Sequence, residues 1–123
     1  IDACPTKAIV ANRIVDARRC ISYQTIELRG ELDEALKGQF ENRVFGCDIC
    51  QDVCPWNLKS KPHSEPNFKP KSELLELKNH DWHTMEKPLF NELFKNSAVK
   101  RTGFDGLKRN LKFIQTKKNG EEV

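Results

Sequence analysis

Long hydrophobic runs are missing from this sequence. Its apolar stretches last only a few residues, against the run of about 18 that a bilayer-spanning helix needs, and this excludes a transmembrane helix. Apolar content is low overall. Of 123 residues, 37% are hydrophobic and 8% aromatic, and the mean hydropathy is −0.68, so a core has little surface with which to offset chain entropy. Some further source of cohesion is expected. Cysteine is absent after residue 54, and the five present, at 4, 20, 47, 50 and 54, are an odd number, which excludes a fully paired disulfide framework. The opening Ile1-Asp2-Ala3-Cys4 has no initiator methionine, no charged start and no hydrophobic stretch. The expectation is a soluble, cytoplasmic protein of a reducing compartment, and a piece of something longer.

The length suits one small domain, or two half-domains sharing a core. The net charge of +3 is divided unevenly: residues 1–57 carry seven Lys and Arg against nine Asp and Glu, whereas residues 58–123 carry fourteen against nine. The first part is thus net −2 and the second net +5. Between them, residues 58–71 contain Pro62, Pro66 and Pro70 and little apolar material, which predicts an extended surface connection. The chain therefore divides into a cysteine-bearing segment at 1–57, the connection at 58–71, and a helical segment at 72–123. No internal repeat is present.

Hydrophobic spacing predicts a mainly helical chain, α+β at most, with one short hairpin. Ile9-Val10 and Arg13-Ile14-Val15 flank Ala11-Asn12 and suit that hairpin. Asp16 can cap a helix over 17–29, in which Ile21, Thr25 and Leu28 recur and Gly30 supplies a stop. Leu32, Ala35 and Leu36 continue the helical pattern to Gly38. Ser72 is placed to cap a helix through Leu74, Leu75 and Leu77, and Thr84 another bearing Leu89, Leu93 and Phe94. Last comes a basic amphipathic helix, with Phe104, Leu107, Leu111 and Ile114 on one stripe and Lys108, Arg109 and Lys112 off it.

Cys47-Asp-Ile-Cys50-Gln-Asp-Val-Cys54-Pro55 reads C-x2-C-x3-C-P, the end of a bacterial ferredoxin run whose missing first cysteine falls at Val44. A 4Fe-4S cluster needs four thiolates, and in two-cluster ferredoxins the last cysteine of each run crosses to the other cluster. Cys54 therefore does not complete the site begun by Cys47 and Cys50. Cys4-Pro5 looks like a crossing cysteine of an earlier run, and Cys20 can take the place vacated at Val44. The expected set is Cys4, Cys20, Cys47 and Cys50 for one cluster, with Cys54 serving a second whose other ligands lie upstream. A buried structural thiol is the plain alternative for Cys20, and zinc competes for the C-x2-C pair. The two Cys-Pro dipeptides and the C-x3-C-P spacing favour iron and sulfide. His63, His80 and His83 lack zinc-knuckle spacing and are read as surface or core residues.

Three segments, I-D-A-C-P-T-K-A-I, D-A-R-R-C-I-S-Y-Q-T-I-E and G-C-D-I-C-Q-D-V-C-P-W-N, resemble the epoxyqueuosine reductase family over nearly all of residues 1–57. A weaker likeness joins Phe94-Lys-Asn-Ser97-Ala-Val-Lys100-Arg101 and Lys108-Arg109-Asn110 to the basic segment near the end of that family's catalytic core. The resemblance implies a cobalamin- and iron-sulfur-dependent oxidoreductase that removes the epoxide oxygen of epoxyqueuosine in tRNA. It assigns Cys4, Cys20, Cys47 and Cys50 to one 4Fe-4S cluster and Cys54 to the other. It also places Ser22, Asp48 and Gln51 near the corrin. The plain alternative for Ser22 is a helix hydroxyl bonding back to the preceding turn. The family's N-terminal cobalamin-binding domain and its acidic proton donor have no counterpart here, so no catalytic residue is assigned and the chain alone is expected to be inactive.

Between Lys95 and Lys118 there are eight Lys and Arg and one acid, Asp105. Such a face can neutralise phosphates, and Lys100, Arg101, Lys108 and Arg109 are the candidate tRNA contacts. A solvated helix face is the plain alternative. The expected partners are tRNA, an electron-donor protein and the cobalamin-binding domain, with no membrane and a monomeric state. Two other functions compete: a ferredoxin-like electron-transfer module of another cobalamin-dependent reductase, and a zinc-stabilised nucleic-acid-binding module.

Overall fold

A computed structural model describes residues 1–115; Lys117 and Lys118 of the basic tail lie outside the described residues. Among the described residues the chain is mainly helical with one two-stranded antiparallel hairpin, the fold class its spacing predicts. Strands β1 (Ile9–Ala11) and β2 (Ile14–Val15) pair Ile9 with Val15 and Ala11 with Ile14. The turn falls one residue later than expected, at Asn12-Arg13, where Arg13 takes a left-handed φ of +62°.

The helix expected over 17–29 is broken. The Asp16 carboxylate accepts the Arg18 N–H and caps a 3-10 turn at Ala17–Arg19, as a cap should, but Cys20 is then extended at φ −77° and ψ 123°. Helix resumes at Ile21 and widens into a π turn over Tyr23–Glu27, closed by Leu28 N–H onto Tyr23 O at 3.0 Å. The Gln24 side chain takes the Arg18 carbonyl that a continuous helix would have used for its own ladder. Leu28, extended, ends the turn before Gly30 is reached. The pattern at Leu32 and Leu36 yields only a 3-10 turn at Glu34–Leu36, capped by Asp33.

After α1 (Ile49–Asp52) the chain is exposed from Pro55 through Glu73, with single 3-10 turns at Asn57–Lys59 and Pro66–Phe68. Helix α2 (Ser72–Glu76) begins after Lys71, and the Ser72 hydroxyl bonds Glu73 instead of capping. Thr84 does not cap either. It ends α3 (Asn79–Thr84), where its hydroxyl donates to His80 O at 3.0 Å. A helix starting at Thr84 would need an N–H from Pro88 for the Thr84 carbonyl; proline has none, so α4 (Lys87–Leu93) starts later with Pro88 in its first turn.

Helix α5 (Gly103–Gln115) joins two hydrophobic clusters. Leu107 and Leu111 pack with Met85, Phe90, Leu93 and Phe94, while Phe113 packs with Ile21, Leu32, Leu36 and Phe40. Of the stripe read from sequence, Phe104, Leu107 and Leu111 pack on the later helices and Ile114 on the cysteine-bearing segment, where the buried contact is Phe113, a residue outside that stripe. No helix among the described residues is long and apolar enough to cross a membrane.

Candidate metal centre

At Cys4 the chain reverses sharply. Lys7 N–H bonds Cys4 O at 3.1 Å, with Lys7 left-handed at φ +53°. This turn folds the Ala8 N–H onto the Cys4 sulfur at 3.3 Å and sets the buried Thr6 hydroxyl 3.6 Å from it. Burial pushes the Cys4 thiol up. The Thr6 hydroxyl and the backbone N–H groups of Ala8, Thr6 and Ile9 outweigh that and hold its pKa below the ordinary range. Amides aimed at sulfur are how a protein stabilises and tunes cluster-ligating thiolates.

Cys20 is half-buried at the break between the 3-10 turn and the π turn. Cys47 follows Gly46, which is left-handed at φ +75°, and packs beside the cluster containing Ile21 and Phe40. The two segments are tied directly. The Ser22 hydroxyl donates to Cys47 O at 3.3 Å, so it reaches across to the other cysteine segment and not back along its own helix. Cys50 is exposed on α1, and half-buried Cys54 closes the turn after it, its N–H on Gln51 O at 3.2 Å. Asp48, just before α1, is exposed and caps nothing, and the exposed Gln51 receives the Asn57 amide on its side-chain oxygen at 2.9 Å.

Behind these cysteines lies a polar bolt that periodicity does not reveal. The Thr25 hydroxyl donates to Ile21 O at 2.7 Å and accepts the Gly46 N–H at 3.0 Å. The Thr25 carbonyl accepts from the Thr102 hydroxyl at 2.9 Å and from Asn110 Nδ2 at 2.8 Å. Asn110 Nδ2 also donates to Val44 O at 2.8 Å, and both Thr25 and Asn110 are fully buried. The one available signal was two polar residues within otherwise apolar helical stripes.

The basic residues are also placed unexpectedly. Arg109 turns inward, its guanidinium donating to Gln24 O at 3.0 Å, Leu28 O at 2.9 Å and Gly30 O at 2.6 Å, and burial lowers its pKa. Lys108 bonds the carbonyls of His83 and Met85 at the end of α3, a favourable site for a cation. Arg101 is exposed and pairs with Glu27, its Nη2 at 2.8 Å from the carboxylate, and Lys100 is exposed beside it. His63 and His80 are exposed and His83 is half-buried on α3.

Among the described residues, no three His, Cys, Asp or Glu side chains converge to hold a single metal ion. The donor chemistry is five free thiols, one already receiving an amide N–H, and that suits clusters whose thiolates stand apart around an inorganic core. Residues 1–57 match the family described as the 4Fe-4S double cluster binding domain. Over 94% of its length the chain is 54% identical to the epoxyqueuosine reductase of Cellulophaga algicola and, over the same share, 50% identical to that of Cyclobacterium marinum. In sequence the chain is similar to the epoxyqueuosine reductases. It spans 38% and 36% of those two proteins. Among solved structures, the epoxyqueuosine reductase of Bacillus subtilis superposes with TM-score 0.80 at 32% identity, covering 92% of this chain and 30% of that one. An epoxyqueuosine reductase crystallised with an epoxyqueuosine-modified tRNA-Tyr stem loop gives TM-score 0.82 at 30% identity, covering 97% and 32%.

Proposed function

We propose that this chain is the cluster-bearing segment of an epoxyqueuosine reductase, an oxidoreductase that converts epoxyqueuosine in tRNA to queuosine. The observation that carries the reading is the match along almost the whole chain, in sequence and in fold, to proteins of that name. Residues 1–57 are the cluster segment, 58–71 the connection and 72–123 the helical segment. Cys4, Cys20, Cys47 and Cys50 hold one 4Fe-4S cluster, and Cys54 contributes to a second whose other ligands lie outside this chain. When bound, the clusters supply electrons and a cobalamin supplies the low-valent cobalt that acts on the substrate.

This chain's own part is to hold and orient. The Cys4 turn presents a sulfur already stabilised by N–H donors, and the Ser22 tie keeps the Cys20 and Cys47 segments side by side. Asp48 and Gln51, exposed around α1, are the proposed polar contacts to cobalamin, with Ser22 behind them. For tRNA, exposed Lys100 and Arg101 supply phosphate contacts, Arg101 with its guanidinium shared with Glu27, while Lys108 and Arg109 add positive potential with N–H groups already engaged by carbonyls.

The test uses the longer protein to which this segment is proposed to belong, reconstituted anaerobically with iron and sulfide. The wild type is expected to show the broad charge-transfer absorption of 4Fe-4S clusters and to convert epoxyqueuosine in tRNA, read by mass spectrometry of released nucleosides. Cys20→Ser is expected to lose iron and activity together. Stoichiometric zinc without the charge-transfer band refutes the reading.

A further inference from the structure

We propose that Thr25 and Asn110 are positioning residues for the iron-sulfur cluster, holding the Cys20 turn and the Cys47 loop in register. This rests on the reading that Cys20 and Cys47 ligate one cluster. The two cysteines lie on segments far apart in sequence, and neither segment has a regular helix or sheet to fix it against the other. Beside the single Ser22–Cys47 O hydrogen bond, the links that do so converge on these two side chains.

Thr25 sits in the π turn that begins three residues after Cys20, and its hydroxyl receives the N–H of Gly46, the residue just before Cys47. Asn110 comes from α5 and spans the same gap from behind, one Nδ2 donating to Thr25 O and to Val44 O, each at 2.8 Å. Its orientation is settled by Arg109, whose Nε and Nη2 donate to Asn110 Oδ1 at 3.1 and 2.9 Å, so the amide nitrogen must face the two carbonyls. Both side chains have no solvent exposure, so water cannot replace a lost partner. Aspartate at 110 would have no donors for either carbonyl, and valine at 25 would keep the shape while leaving the Gly46 N–H without its acceptor. Neither residue reaches a reacting group. Each acts through the backbone that carries a ligand, as outer-shell groups do in metal sites.

The experiment compares Thr25→Val, Thr25→Ser and Asn110→Ala in the reconstituted longer protein, reading iron release to a chelator, the EPR signal of the reduced clusters, and far-UV circular dichroism. Thr25→Val is expected to release iron about 10-fold faster with an altered EPR signal and retained dichroism, as outer-shell losses do. Thr25→Ser, which keeps the hydroxyl, is expected to restore wild-type behaviour. Asn110→Ala should behave as Thr25→Val does; should it not fold, the Thr25 pair alone decides. Wild-type iron release and EPR in Thr25→Val overturn the inference, as does iron loss that merely tracks loss of dichroism in every variant. A wild type that binds no iron and sulfide overturns the underlying reading instead, and is thereby distinguished.

Discussion

Arg109 offers a sharp test, because its sequence and its position point to different work. It belongs to a basic cluster suited to phosphate, yet its guanidinium donates to three backbone carbonyls of the segment between Gln24 and Gly30, with burial lowering its pKa. Arg109→Ala removes these three bonds and the two that its Nε and Nη2 donate to Asn110 Oδ1. Gly30 is exposed and Leu28 half-buried, a loss of about 1 kcal/mol each, whereas Gln24 and Asn110 are buried and the stranded Gln24 carbonyl and Asn110 Oδ1 cost roughly 1–3 kcal/mol each. The sum is about 4–8 kcal/mol, which for a protein of several hundred residues lowers the melting temperature by about 6 °C or more. Arg109→Lys keeps the charge but replaces a planar fork with a single ammonium, so it should recover only part of the loss. The assay is thermal unfolding of the longer protein beside a salt titration of tRNA binding. Wild-type melting in both variants, with tRNA affinity reduced in Arg109→Ala and kept in Arg109→Lys, would refute the bracing role and make Arg109 a phosphate contact.

Two neighbouring contacts lead to further expected outcomes. A Cβ at Gly106 would meet Thr102 Oγ1 at 2.5 Å, and that hydroxyl is committed to Thr25 O. Gly106→Ala should therefore lower stability by about 1–2 kcal/mol despite the gain of about 1 kcal/mol that alanine brings to a helix interior, and in a Thr102→Ala background the same change should become stabilising, both read by melting temperature. The Arg101 hydrogen bond holds the Glu27 carboxyl below its usual pKa. A depressed pKa means that the pair's contribution is present above the ordinary glutamate range and fades as pH falls through the lowered folded value. An NMR titration should show Glu27 with a midpoint below that range in the wild type and within it in Arg101→Ala; identical midpoints would remove the pair.

The sequence by itself determines the chemistry a segment can carry and the period of its apolar residues. C-x2-C-x3-C-P and the two Cys-Pro dipeptides mark residues 1–57 as iron-sulfur material, and that is the span matched by the 4Fe-4S family. Spacing likewise shows the apolar stripe of α5, because Leu107 and Leu111 recur at helical period whatever they meet. The break at Cys20 is beyond that reach: periodicity runs through it, and the Gln24 side chain decides otherwise by taking the Arg18 carbonyl. Capping was half legible. Asp16 caps as its type suggests, whereas Ser72 and Thr84 do not, since Glu73 engages the serine hydroxyl and Pro88 delays the start of α4, and Asp33 caps a turn that the spacing did not mark. The face taken by Arg109 was wholly a matter of tertiary structure. A long cation beside an apolar stripe can reach solvent or turn under the helix, and the carbonyls that draw it inward lie on a segment about eighty residues earlier. Local pattern carries no information about such partners, because a backbone carbonyl looks the same in every residue and only the fold decides which ones are left in need of a donor.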